Sequence, residues 1–299
     1  MIIMLAVVLT SILLVNLCLN LAFYNPTKEE AVNRRCFLLN LQMLSSSTSY
    51  GYINSAIPRG SLNFGQYDQE FFATKKSVYT DININYLAKG EFSYRMGKIS
   101  MELETDSGFK DTVLYKTDFQ VPAIFDPSDI KDGQFYHVLL KTADGASMET
   151  VLNEANAFHS DDPFLANNSG LIRIFIDTGF EDSEVVIGAP GTRSYIFIGS
   201  SYMEGKSAAL YEMYFRDNLR FLAEHPRETS LFLDSGLFGS LSIDYSDRLD
   251  YIQKNGIACL GATAYLSGDA LKMIMHNSTV FQVIRVEEDL PNSKNDMTA

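Results

Sequence analysis

Tryptophan is absent, and cysteine and histidine are scarce. The 299 residues hold three cysteines and four histidines. Cys18, Cys36 and Cys259 form no Cys-x-x-Cys pair and no cluster with histidine. A structural zinc site of the finger or ribbon kind is therefore excluded. Cys18 lies in an apolar run, which leaves Cys36 and Cys259; a disulfide between them stays open at this level. Positive charge is also in deficit. Lys and Arg number 24 against 37 Asp and Glu, a formal net charge of −13. No basic patch with interleaved aromatics offsets it, so nucleic acid is excluded as a partner. No serine sits in a Gly-x-Ser-x-Gly elbow. "GAPGTRS" at 188–194 lacks the lysine of a phosphate-binding loop and reads as a turn.

What is present is the composition of a folded protein, with 46% hydrophobic and 20% charged residues. The 16 Tyr and 20 Phe point to a well-buried core containing β-structure.

Residues 1–24, "MIIMLAVVLTSILLVNLCLNLAFY", carry no charge. The run matches the roughly 20 residues that span a bilayer. Asn16 and Asn20 are costly in lipid but tolerable singly. A cleaved signal peptide would need a basic start and a small-x-small cleavage site. Neither is there, and "Val-Asn-Leu-Cys18" is a poor lipoprotein signal. The run reads as an uncleaved transmembrane helix. Lys28, Arg34 and Arg35 follow it, and positive charge prefers the cytoplasmic side. A basic segment ahead of Met1 would oppose them and settle the topology.

The expected fold class is α+β. After the transmembrane helix (1–24) come a juxtamembrane helix and linker (25–49), with Thr27 and Glu30 as a capping box and "SSSTS" as the linker. Residues 50–165 read as a β-rich antiparallel domain. There, Ile82, Ile84, Tyr86, Phe92, Tyr94, Ile99, Met101 and Leu103 alternate with polar residues. Residues 166–290 read as a small α/β domain, and 291–299 as a polar tail. In the α/β part, Leu210, Tyr211, Tyr214, Phe215, Asn218, Leu219 and Leu222 fall at helical spacing. Pro226 stops that helix. A second helix runs from an N-cap at Ser246 to Gly256. Strand "IACLGATAYL", helix "GDALKMIMHN" and strand "VFQVIRVEE" then predict a βαβ unit with a parallel pair.

Two short motifs invite a catalytic reading. "LIRIFIDTGF" and "TSLFLDSGLF" each end in Asp-[Thr/Ser]-Gly, at Asp177 and Asp234. Aspartic proteases bring two such carboxylates together. Two protease lobes do not fit in the interval between them, which also holds a helix. The motifs therefore read as turns that end strands, with Asp bonding its own downstream backbone and Gly taking positive φ. His159, Asp161 and Asp162 could ligate a metal but read as solvated loop residues. His225 lies at a helix end, where positive charge is favourable. The aromatic stripe on 206–224 reads as core. No catalytic, cofactor-binding or metal-binding residue is assigned, and no cofactor is expected.

"YFRDNLRFLAEHP" and "RLDYIQKNGIACLGATAYLSGDALKMIMHNSTVFQVIRVEEDL" carry a resemblance. The chain resembles the C-terminal part of the membrane-tethered sigma factor regulators, or anti-sigma factors, of Firmicutes. The matching positions are Asn218–Leu222, Tyr251–Gly261, Gly268–Leu271 and Val280–Val286. The resemblance implies a non-enzymatic regulator of an alternative sigma factor. It would be a single-pass protein of the cell membrane, with its bulk extracytoplasmic. Its partners would be the membrane and a sigma factor or another membrane protein. It also implies a cytoplasmic sigma-binding segment before the membrane helix, ahead of Met1, and a tryptophan in the outer domain that this chain lacks. The alternative reading is a membrane-tethered extracytoplasmic protein that binds a ligand or protein unrelated to transcription.

Overall fold

The computed structural model describes Met4 and residues 8–15, 26–44, 113–121, 125–157, 169–181, 184–192, 205–234 and 241–288, plus the backbone of short strands elsewhere. The alternating side chains at 82–103, the His159 cluster, the "SSSTS" linker and the polar tail lie outside the described side chains.

The fold is α+β. Among the described residues, the main elements are α1 (Pro26–Leu44), β1 (Phe135–Ala146), α2 (Met148–Asn156), β2 (Gly170–Asp177), β3 (Ile187–Pro190), α3 (Ala208–Glu224), α4 (Pro226–Leu233), α5 (Tyr245–Asn255), β4 (Ala258–Ser267), α6 (Gly268–Asn277) and β5 (Phe281–Glu288). The five strands form one sheet in the order β5-β1-β4-β2-β3, and every pairing is antiparallel. Ahead of it, short backbone segments at 49–51, 66–69 and 76–79 pair antiparallel, as do 83–85 and 98–100.

This topology corrects the expected parallel pair. The helices and strands of β4–α6–β5 are where the sequence places them, but β1 lies between the two strands and is antiparallel to both. β1–α2–β2 is interrupted in the same way by β4. Two split strand–helix–strand units thus interlock, the order of the ferredoxin-like motif. The expected boundary at 165/166 cuts through this sheet, because β1 pairs with β4 and β5. Helix α2 also falls in the stretch read as strand. Ser147 caps it, its Oγ accepting from the Thr150 amide at 3.2 Å, and Met148, Val151, Leu152 and Ala155 form its buried stripe.

Alternation along the strands serves two faces. Tyr136, Val138 and Leu140 join Ala262, Ala264 and Leu266 in the larger core, which the helices cover. Leu139, Phe175, Val186 and Ile284 face the other way, where Leu114 and Phe119 cover them. The Phe119 and Phe175 rings lie 5.6 Å apart. Burying a side chain of this size contributes about 2 kcal/mol.

The helix ends also differ from expectation. α1 opens at Pro26, so Thr27 lies inside its first turn. The N-cap of α5 is Asp244 rather than Ser246, its Oδ1 accepting the amides of Ser246 and Asp247 at 2.8 and 3.1 Å. Pro226 ends α3 as expected and then opens α4. Asp234 follows that helix as its C-cap, so "TSLFLD" is no strand.

Residues 8–15 are helical, and Leu9, Ile12, Leu13, Leu14 and Val15 are each more than half exposed. Among the described residues no helix is long and apolar enough to cross a membrane. The rest of 1–24, apart from Met4, lies outside the described residues.

Candidate functional site

The Asp177-Thr178-Gly179 turn closes β2, as its residue types dictate. Asp177 Oδ1 accepts the Gly179 amide at 3.0 Å, and Gly179 sits at φ 82°. Helix α5 crosses beneath. Its Tyr245, Arg248, Leu249 and Ile252 lie at helical spacing and are buried, which carries Arg248 into the core. The Arg248 side chain is 2% exposed. Its Nη1 donates to the Val185 carbonyl at 2.7 Å and to Thr178 Oγ1 at 3.4 Å. Its guanidinium lies 4.0 Å above the centre of the Phe180 ring. Glu184 is its distant ionic partner at 4.0 Å. Burial pushes the guanidinium below its ordinary range, while Tyr245 and Glu184 oppose the shift.

Beside this turn is a shallow surface depression with room for about one water, lined in part by Lys116, Asp177, Phe180, Glu181 and Glu184. Lys116 Nζ donates to the Phe180 carbonyl at 3.0 Å. Lys116 thus holds the backbone at Phe180, and Arg248 holds it at Val185. Asp177 serves its own turn and Asp234 caps the end of a helix. Ser235 and Gly236 lie outside the described residues. Gly188, Ala189 and Pro190 of "GAPGTRS" belong to β3. Thr192 Oγ1 then accepts the Leu171 amide at 3.0 Å.

A second concentration of buried polar groups surrounds α1. Its residues Cys36 and Leu38–Leu44 are buried, and the helix packs on β3, α3 and α4. The segment expected as a juxtamembrane helix is thus part of the core. Asn40 is fully buried; its Nδ2 donates to the Cys36 carbonyl at 2.8 Å, and its Oδ1 accepts from Tyr245 Oη at 2.7 Å. Tyr214 Oη donates to Gln42 Oε1 at 3.1 Å. Thr229 Oγ1 reaches Cys36 Sγ at 3.7 Å and the Leu222 carbonyl at 3.3 Å. Arg35 lies over the Phe221 ring at 3.9 Å.

The remaining candidates fill structural positions. Cys36 and Cys259 are free buried thiols, so no disulfide joins them. Burial pushes both up to about 12, which keeps them unreactive. His225 Nδ1 lies 2.8 Å from the Phe221 carbonyl, and its ring stacks on Phe221. His276 Nδ1 lies 2.7 Å from the Lys272 carbonyl. His137 rests against Tyr265, with ring centres 4.9 Å apart. Arg173 is buried where β2 lies opposite Thr263 and Pro190. Burial lowers its guanidinium to about 10, and Tyr214 opposes that shift. Among the described residues no His, Cys, Asp and Glu gather as a metal site.

Sequence reasoning passed over Arg248, Asn40 and Gln42. A signal for each was present: a polar residue on the apolar stripe of its helix, "YSDRLDYI" for Arg248 and "CFLLNLQML" for the other two. Comparison of the chain with known protein families, curated proteins and solved structures finds no match.

Proposed function

We propose that the chain is a membrane-anchored sensory protein, held by its apolar N-terminal helix, whose α+β domain acts by binding rather than catalysis. In its specific form the partner is an alternative sigma factor, or a membrane protein that controls one. The bulk of the chain lies outside the cytoplasm and passes its state through a single helix.

The observation that supports this reading is the contrast between two neighbouring segments. At 8–15 the apolar side chains point away from the described protein. Apolar surface of that kind is stable when lipid or protein covers it. A bilayer suits a charge-free run of this length. Shortly afterwards, Cys36 and Leu38–Leu44 are sealed into the domain, which would hold the domain beside the membrane. The sigma-factor assignment draws on the resemblance at 210–290, where α3, α5, β4, α6 and β5 follow in the order it implies.

Alkaline carbonate extraction of cells expressing the full chain tests the anchor. The full chain is expected in the membrane pellet, and a chain beginning at Tyr24 in the soluble fraction. A full chain extracted by carbonate would refute the reading. Affinity capture of the detergent-solubilised chain tests the partner. Recovery of a sigma factor supports the specific form; recovery of envelope proteins alone would leave the tethered binding protein in its place.

A further inference from the structure

We propose that the chain pairs with a second copy of itself, β5 against β5, antiparallel about a two-fold axis at Val286. Among the described residues, β5 ends the sheet and has a strand, β1, beside it on one edge only. A strand in that position presents a row of backbone donors and acceptors to another chain. Many natural edges are blunted by lysine, proline or a bulge. β5, "FQVIRVEE", contains no lysine and no proline. It has a bulge between Val283 and Arg285, and beyond it the register against β1 runs unbroken from Arg285 to Glu288. The other end of the sheet is protected. There β3 is buried along its length and packed under α1, and Tyr115 bridges to Val185 just ahead of it.

The charges on this edge choose both the partner and the register. Arg285 lies opposite Leu139 and Glu287 opposite His137, so the two project from the same face of the sheet. Facing residues in an antiparallel pair both turn their backbone groups inward or both outward. A self-paired strand therefore has its axis at a residue, never between two. An axis at Ile284 falls on the bulge. An axis at Arg285 or at Glu287 sets like charges opposite each other. An axis at Val286 sets Arg285 opposite Glu287 of the partner subunit, and Glu287 opposite Arg285 of the partner subunit. Opposite charges facing across strands are stabilising. A foreign strand of one charge sign would attract one of these residues and repel the other, whereas a second copy satisfies both. Arg285 reaches Asp118 at 3.7 Å yet keeps its side chain 39% exposed, and its guanidinium has donors enough for a second carboxylate. Burial holds the Glu287 carboxyl above its ordinary range, with Arg285 opposing the shift; an arriving arginine would add to that opposition. The pairing depends on neither the anchor nor a sigma factor.

Sedimentation of the full chain in a density-matched detergent tests the pairing. The unaltered chain is expected as a dimer. Arg285→Glu and Glu287→Arg each turn both attractive cross-strand pairs repulsive, and each is expected to raise the dissociation constant at least about tenfold. Combining the two restores opposite charges and is expected to recover the dimer. Asp118 cannot account for that recovery, because its contact with Arg285 is lost in the combined variant as well. A monomeric unaltered chain would overturn the proposal. So would a dimer that both single variants leave unchanged, the result expected if the apolar N-terminal helix joins the copies instead. Val286→Cys in a Cys18→Ser background gives a second reading. It places a thiol at the axis, where facing Cα atoms lie about 4.5 or 5.5 Å apart, within reach of a disulfide. Cys36 and Cys259 are buried, so oxidation is expected to link two copies through residue 286. Folded chains of this variant that stay unlinked would overturn the proposal, and this reading decides it should either charge variant fail to fold.

Discussion

Tyr245 donates its phenolic hydrogen to Asn40 Oδ1 at 2.7 Å, joining residues 205 positions apart. Both are buried, and Asn40 also returns a hydrogen bond to its own helix at the Cys36 carbonyl. Asn40→Ala leaves the Tyr245 hydroxyl buried without this acceptor. The expected loss is about 2–3 kcal/mol, and Tyr245→Phe is expected to cost about 1–2 kcal/mol. A double-mutant cycle by urea denaturation should return a coupling of about 1 kcal/mol or more. Additive losses would mean that the two residues act separately.

Gly179 and Gly145 separate backbone strain from steric clash. Both have positive φ, 82° and 73°. A Cβ at Gly145 meets nothing, whereas one at Gly179 runs into the Tyr251 ring. Gly145→Ala should cost about 1 kcal/mol, the left-handed penalty alone. Gly179→Ala should cost more, roughly 2–4 kcal/mol. Thermal melts of the pair decide it, and equal losses would place the Tyr251 ring elsewhere.

Arg248 is expected to be irreplaceable by lysine. Its Nη1 serves Val185 and Thr178 while its plane covers Phe180. A lysine ammonium cannot reproduce the fork and the stacked plane together. Arg248→Lys and Arg248→Ala should each lose about 2–4 kcal/mol. Glu184→Gln, at a half-exposed partner 4.0 Å away, should lose less than about 1 kcal/mol. Proteolysis within 177–185 should quicken in the two Arg248 variants and stay unchanged in Glu184→Gln.

Stability should fall in alkali. Cys36 and Cys259 ionise near 9 as ordinary thiols, but burial holds them at about 12 in the fold. Between those values the unfolded chain has released protons that the folded chain retains. The stabilisation is therefore complete below about pH 9 and is lost as pH rises toward 12. Tyr214 and Tyr245, also raised by burial, act in the same direction. Urea melts from pH 8 upward should show the decline, with a shallower slope in Cys36→Ala or Cys259→Ala. An unchanged slope in both variants would show that the thiols are not its source.

A fragment beginning at residue 166 should not fold. It keeps β4 and β5 but lacks β1, the strand that separates and pairs with both. It also lacks α1, which covers β3. A chain from Pro26 onward retains both. Near-ultraviolet circular dichroism should show fixed tertiary structure in the longer chain and none in the fragment; a cooperative melt of the fragment would restore a boundary at 165/166.

Local order was largely legible in the sequence. The stripe of α3, the stop at Pro226, the elements β4, α6 and β5, and the Asp177 turn all follow from spacing, caps and residue type. Those signals act within a few residues, so one chain segment suffices to read them. Ser147 and the Val151, Leu152 and Ala155 stripe were readable too, but the strand-like texture around them hid α2. Partnership was not legible. Only the tertiary structure places β1 between β4 and β5, because an apolar strand pairs equally well with several others and the choice depends on how every helix finds cover. Only the tertiary structure turns Arg248, Asn40 and Gln42 from polar interruptions into contacts, because a buried hydrogen bond needs a partner that arrives from distant sequence.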